Sequence, residues 1–186
     1  KSIVDGINAG LKEQLVAGLS GSARTMLISS LHGKTGKPQL VVTHNLFQAQ
    51  KLYEDLTSLL SEDEVYLYPV NDLISSEMAI SSPELKGQRI EALNYLSHAS
   101  KGVIITPVAG LRRYLPPVDI WKQAGLSFRM GEDIDPDQIL NKLVAMGYER
   151  TSMVQTPGEF SVRGGIIDIY PLTEKNPVRI ELFDTE

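Results

Sequence analysis

Gly18 to Thr25, GLSGSART, has the outline of a phosphate-binding loop without its chemistry. A working loop of this kind follows a strand and ends in Gly-Lys-Ser/Thr at the start of a helix. Backbone N–H groups then cradle phosphate, the lysine reaches the terminal phosphates and the hydroxyl holds magnesium. Gly18, Gly21 and Thr25 fit, but Ala23 and Arg24 stand where glycine and lysine are required. A Cβ at position 23 obstructs a positive φ or a close phosphate approach, and a broad guanidinium does not replace a compact ammonium. The sequence therefore predicts a degenerate loop in a strand–loop–helix setting, with no ATP turnover and no bound cofactor. Gly33-Lys34-Thr35 is no substitute, because the pattern would need glycine where Ile28 stands; a solvated turn is expected there. No Asp-Glu pair closes an apolar strand to hold magnesium.

The remaining polar candidates are sparse. His32, His44 and His98 have no ligand spacing, so no metal site is expected. Asp168, Glu181 and Asp184 could be imagined as a carboxylate pair for acid–base work. Alternating strand residues more often point such charges to solvent, and no activated partner is visible, so no catalytic residue is assigned. Arg163 and Arg179 differ in lying within strand-like runs, each able to project outward beside an aromatic such as Phe183. Arginine with an aromatic is the composition of protein-interaction hot spots. The same residues also suit arginines that merely lay their stems along a sheet face.

Positioning these groups requires two kinds of architecture. Ile3, Ile7, Leu11 and Leu15 recur at helical spacing, a helix is expected from Ala23 to His32, and Gln39 to Thr43 reads as a buried strand. Leu46 to Leu60 is an amphipathic helix, Val65 to Tyr68 a strand, and Ser82-Pro83-Glu84 a helix start running to His98. Val103 to Thr106 is a further apolar strand. Strands alternating with helices predict a parallel α/β sheet. After Pro116-Pro117 the pattern changes: one helix from Asp135 to Met146, then β segments at 148–154, 159–162, 165–170 and 177–183 with turns at Thr156-Pro157-Gly158 and Gly164-Gly165. The expectation is an α/β domain over residues 1–117 and a small antiparallel α+β domain over 118–186.

Composition agrees with a folded, water-soluble object. The 186 residues are 42% hydrophobic and 22% charged, with no cysteine and a formal charge of -5. Disorder, disulfide scaffolds and thiolate chemistry are excluded, and no apolar run is long enough to span a membrane. The negative balance argues against a dedicated nucleic-acid binder. The Lys1 start and the strand-like close at Glu186 suggest a piece of a longer cytoplasmic protein.

The run Gly158-Glu159-Phe160-Ser161-Val162-Arg163-Gly164-Gly165-Ile166-Ile167-Asp168-Ile169-Tyr170-Pro171, followed by Val178-Arg179-Ile180-Glu181-Leu182-Phe183-Asp184, resembles the second domain of the nucleotide excision repair helicase UvrB. It is still more similar to the UvrB-homology module of the bacterial transcription-repair coupling factors, the Mfd family. The order of elements agrees along essentially the whole chain. UvrB has an intact phosphate loop, whereas the coupling factors carry a ruined one, as Ala23-Arg24 does here. The segment from Tyr68 to Pro83 also looks too short for the DNA-gripping β-hairpin of UvrB.

The resemblance implies a RecA-like, P-loop-NTPase-like partial sheet with an inserted second domain that recruits the damage-recognition ATPase UvrA in the bacterial cytoplasm. By the same resemblance, the contact residues are Arg163, Arg179 and Phe183. An ATP-driven DNA translocase and an RNA-polymerase-binding domain would belong to parts of the parent protein outside this chain. The alternative left standing is a nucleotide- or DNA-binding fragment of a UvrB-like helicase.

Overall fold

The computed structural model describes residues 2–70, 82–98 and 101–183. The chain divides into two compact units, Lys1–Ala79 with Glu91–Tyr114 and Ile80–Ile90 with Leu115–Glu186. Segment 71–81, which holds most of the stretch expected to be too short for a DNA-gripping hairpin, lies outside the described residues, as does Asp184.

The first unit is built on three parallel strands, β1 (Pro38–Thr43), β2 (Val65–Leu67) and β3 (Gly102–Pro107), in the order β1-β3-β2. Strand β3 is central and buried along its whole length, which its unbroken apolar run allows. Helices α2 (Ala23–Thr35) and α3 (Leu46–Thr57) contribute Ile28, Ala49, Leu52 and Leu56 to the core formed with Val65, Leu67, Val103 and Ile105. The spacing 49, 52, 56 is one face of a helix. Asn45 starts α3 by accepting the Gln48 N–H at 2.9 Å.

Three sequence expectations fail here for local reasons. The leading helix α1 covers only Ile3–Asn8, because Gly10 takes φ 77° and turns the chain; Leu11 and Leu15 are exposed. No strand precedes Gly18: residues 13–20 have no regular structure, so the expected strand–loop–helix setting is absent. Gly33, expected to break α2, lies inside it. The helix ends two residues later, where Gly36 adopts the left-handed conformation at φ 60° and donates its N–H to the His32 carbonyl. Gly33-Lys34-Thr35 is thus the last helical turn rather than a loop.

Helix α4 (Pro83–His98) begins where Ser82-Pro83 predicts, with the Ser82 hydroxyl accepting the Leu85 N–H at 3.3 Å. Its residues to Ile90 group with the second unit and those from Glu91 with the first. Within the first unit, Tyr95 stacks on Tyr66 with ring centroids 4.2 Å apart.

The second unit holds helices α5 (Val118–Ala124) and α6 (Pro136–Ala145) and a four-stranded sheet. Its strands are β4 (Glu149–Arg150), β5 (Glu159–Arg163), β6 (Ile166–Ile169) and β7 (Val178–Glu181) in sequential order. The sheet is mixed, not antiparallel as expected: β4 runs parallel to β5, while β5, β6 and β7 alternate. Parallel pairing arises because residues 151–157 carry the chain back before β5 begins, with Glu149 N–H bonding the Gly158 carbonyl and Thr151 N–H the Phe160 carbonyl. Asp135 caps α6, and Ile139 and Leu143 pack on Phe160, Ile167 and Ile169. Among the described residues, no helix is long and apolar enough to cross a membrane.

Candidate partner-binding surface

Strand alternation sorts the second sheet into two faces. Phe160, Val162, Ile167, Ile169, Ile180 and Leu182 belong to the core cluster with α6. Their neighbours therefore occupy the opposite face. Register places Arg163 opposite Ile166 and Ile166 opposite Glu181; one pleat further, Ser161, Asp168 and Arg179 form the next row. Leu182, just past β7, joins the core cluster and donates its N–H to the Gly165 carbonyl at 2.7 Å, and Phe183 follows it. Phe183 is 81% exposed. Arg163 and Arg179 thus share the outer face of one sheet, on which Ser161 is nevertheless buried, and Phe183 is exposed just past the last strand.

The two arginines are held differently. Arg179 Nε donates to Asp168 Oδ1 at 2.7 Å and Nη2 to Oδ2 at 3.0 Å, a fork on a carboxylate directly across the ladder. This pairing is stronger and more directional than a single bond. The Arg179 guanidinium beside Asp168 holds that carboxyl below its usual range, and Arg163 contributes in the same direction. Arg163 Nη2 donates to the Ser152 carbonyl at 2.6 Å, tying the strand end to the loop before β5. Glu159 secures the other part of that loop, accepting the Gln155 and Thr156 N–H groups at 2.7 and 2.9 Å. Those two backbone donors hold the Glu159 carboxyl below its usual range.

Asp168 is thereby an ion-pair partner rather than one of a carboxylate pair. Its role, and those of Ser152 and Glu159, went unread in the sequence. A two-residue Gly164-Gly165 turn does signal that Arg163 faces Ile166, but the β6–β7 connection is too long to reveal that Asp168 faces Arg179.

The glycine-rich loop lies in the other unit. Gly18 and Gly21 take φ 80° and 53°, and α2 begins at Ala23 with Ser22 making no side-chain cap. Thr25 is buried in the first turn, and Arg24 is exposed. Gly21, Ser22, Arg24 and Thr25 line one side of a cleft of about 650 Å³, with Lys51, Leu52 and Asp55 of α3 on the other. Of the histidines, His32 is buried with Nε2 3.3 Å from Glu64 Oε1, which also binds Lys101 at 2.9 Å. Among the described residues, no cluster of three His, Cys, Asp or Glu side chains is arranged for a metal ion.

The sheet, its loop and helix α6 fall within residues 126–186, which match the family described as the UvrB interaction domain. The whole chain is similar to transcription-repair-coupling factors: 59% identical over 186 residues to that of Bacillus subtilis (strain 168), covering all of this chain and 16% of the relative. Identity is 49% over 177 residues with that of Staphylococcus haemolyticus and 48% over 177 residues with that of Staphylococcus aureus (strain USA300). Those alignments cover 95% of this chain and 15% of each relative. The chain thus spans about a sixth of the length of these relatives. The likeness to coupling factors read from the sequence is borne out along the entire chain. The matched residues 126–186 include Arg163 and Arg179 in the strands of the second sheet and Phe183 just past the last of them.

Proposed function

We propose that this chain is a non-catalytic recruitment module of a transcription-repair coupling factor, and that the outer face of its second sheet docks UvrA. The observation that carries the reading is that Arg163 and Arg179 lie exposed on the same face of the second sheet, with Phe183 exposed just past its last strand, within residues that match the UvrB interaction domain. Arginine and aromatic side chains are the types enriched where interface energy concentrates. The parent protein, through parts outside this chain, engages RNA polymerase and DNA; this module then brings the bacterial cytoplasmic excision machinery to the lesion.

In this reading the first unit is a RecA-like scaffold, with the functional boundary near Pro116-Pro117. Its loop at Gly18, Gly21, Ala23, Arg24 and Thr25 turns over no nucleotide. Support comes from the parallel sheet and from the missing lysine. The second reading, a nucleotide-binding fragment, draws on the cleft beside Arg24 and Lys51. Titration with ATP separates them: saturable micromolar binding, or hydrolysis abolished by Arg24→Ala, would replace the first reading with the second.

The docking test is calorimetric titration of the intact chain with UvrA alongside Arg163→Ala, Arg179→Ala and Phe183→Ala, each checked for folding. Loss of a buried charged contact is expected to cost about 2–5 kcal/mol of binding. Parent binding that is unchanged in all three folded variants would move the surface elsewhere, and absence of parent binding would refute recruitment by this chain.

A further inference from the structure

The Arg179 guanidinium presents two hydrogen-bonding edges, and one is already occupied. Asp168 takes the side edge, Nε and Nη2, at 2.7 and 3.0 Å. The terminal edge, formed by Nη1 and the second Nη2 hydrogen, has no acceptor among the described residues. The side chain remains 58% exposed while Asp168 is only 20% exposed. A long arginine would otherwise sample many rotamers, and ordering it on association opposes binding. Asp168 sits in the middle strand of the antiparallel part of the sheet, in register with Arg179, so its own position is set by backbone pairing on both sides.

We infer that Asp168 is a positioning residue that fixes Arg179 with its terminal edge outward, so that this face accepts a partner carboxylate approaching end-on. The inference rests on the reading of this face as the UvrA-docking surface. It also divides the labour between the arginines. Arg179 shares its charge with Asp168 and supplies direction, since a guanidinium offers two parallel donors in a fixed plane. Arg163 is tied to a neutral carbonyl and keeps its charge, so it supplies the attraction that favours an anionic group. A lysine at 179 would keep the charge but could not bind Asp168 through one edge and the partner through another.

The experiment is a double-mutant cycle on the intact chain, read as Kd for UvrA by calorimetry with thermal unfolding of every variant. Asp168→Ala is expected to weaken binding about tenfold, within the range for directly coupled neighbours. In the Arg179→Ala background the same change is expected to do nothing, because Asp168 acts through Arg179. Arg179→Lys is expected to behave like Arg179→Ala. Asp168→Asn, which preserves shape, is expected to weaken binding and serves if the alanine variant does not fold. Arg179→Ala that weakens binding while both folded Asp168 variants bind as tightly as the parent, or tighter, would overturn the positioning role and leave the docking surface intact. Arg179→Ala that binds like the parent would instead remove Arg179 from the docking surface, and the positioning role with it. An Asp168 effect that persists undiminished without Arg179 would overturn the inference as well, by showing that Asp168 contacts the partner or supports the fold directly.

Discussion

Phe183 and Phe160 are the same residue type at opposite extremes of exposure, 81% and 1%, and truncating each should separate binding from folding. Phe160 lies in the core of the second unit with Ile139, Leu143, Ile167 and Ile169. Replacing it by alanine leaves a cavity and is expected to cost about 3–5 kcal/mol of stability. Phe183 has most of its ring in water already, so Phe183→Ala should change stability by less than about 0.5 kcal/mol. Burying that ring against a partner is worth about 2 kcal/mol, and its removal should raise the Kd for UvrA about thirtyfold. Thermal unfolding and calorimetric titration on the same preparations provide the two readouts. The reasoning fails if Phe183→Ala lowers stability by more than about 1 kcal/mol, which would mean that the ring packs within its own chain. It fails equally if the variant folds normally and binds UvrA as the parent does.

Other consequences concern the fold that presents this face. Gly87 lies in α4, where alanine ordinarily stabilises a helix by about 1 kcal/mol. Here an added Cβ would collide with the Leu172 carbonyl oxygen, so Gly87→Ala should lower Tm, with overpacking of about 1–3 kcal/mol outweighing the propensity gain; a raised Tm would contradict the close approach. The carboxyls of Asp168 and Glu159 are held below their usual values, by the Arg179 guanidinium and by the Gln155 and Thr156 N–H groups respectively. Glu64 is likewise held low, first by Lys101 and then by His32. A carboxyl with a depressed folded pKa binds protons more readily when unfolded. Its stabilisation is therefore complete above the unfolded values of 3.8 and 4.5 and disappears as pH falls through the folded ones. Tm should accordingly begin to drop as pH falls below about 5 and go on dropping below the unfolded values. Asp168→Asn should show a shallower drop, and an unchanged slope in that variant would remove Asp168 from the account.

Local signals were legible where chemistry alone decides. Ser82-Pro83 and Asp135-Pro136 start helices because a capping oxygen and a proline without N–H satisfy a helix N-terminus whatever surrounds it. The unbroken Val103-Ile104-Ile105 run marks a central strand for a similar reason. Errors arose where a second segment decides. The strand expected ahead of Gly18 would form only beside a partner, and the described first unit pairs its three parallel strands without one. The β4–β5 pair is parallel because of the path of residues 151–157, which hydrophobic periodicity does not encode. At the candidate site, the residue types were visible but their company was not. The Asp168–Arg179 fork depends on the register across an eight-residue connection, residues 170–177, and register is a property of two strands together.

The same register bears on how salt should act. The outer face sets Arg163 and Arg179 against Glu159, Asp168 and Glu181, and the chain as a whole carries a formal charge of -5. Such a face has no extended positive field, so its attraction to a partner must come from contacts made at short range. Exposed charges separated by more than about 10 Å are largely screened at 0.1 M salt, whereas pairs buried on docking are screened much less. A nucleic-acid surface behaves differently, because every neutralised phosphate releases counterions and affinity falls by about 10³–10⁵ between 50 and 200 mM salt for 6–10 contacts. The Kd for UvrA should therefore change by less than about tenfold over that salt interval. Calorimetry or fluorescence anisotropy at four salt concentrations would measure the slope. A steep, log-linear loss would show that many free cations bind the partner, more than a face with Arg179 paired to Asp168 and Arg163 alone keeping its charge provides.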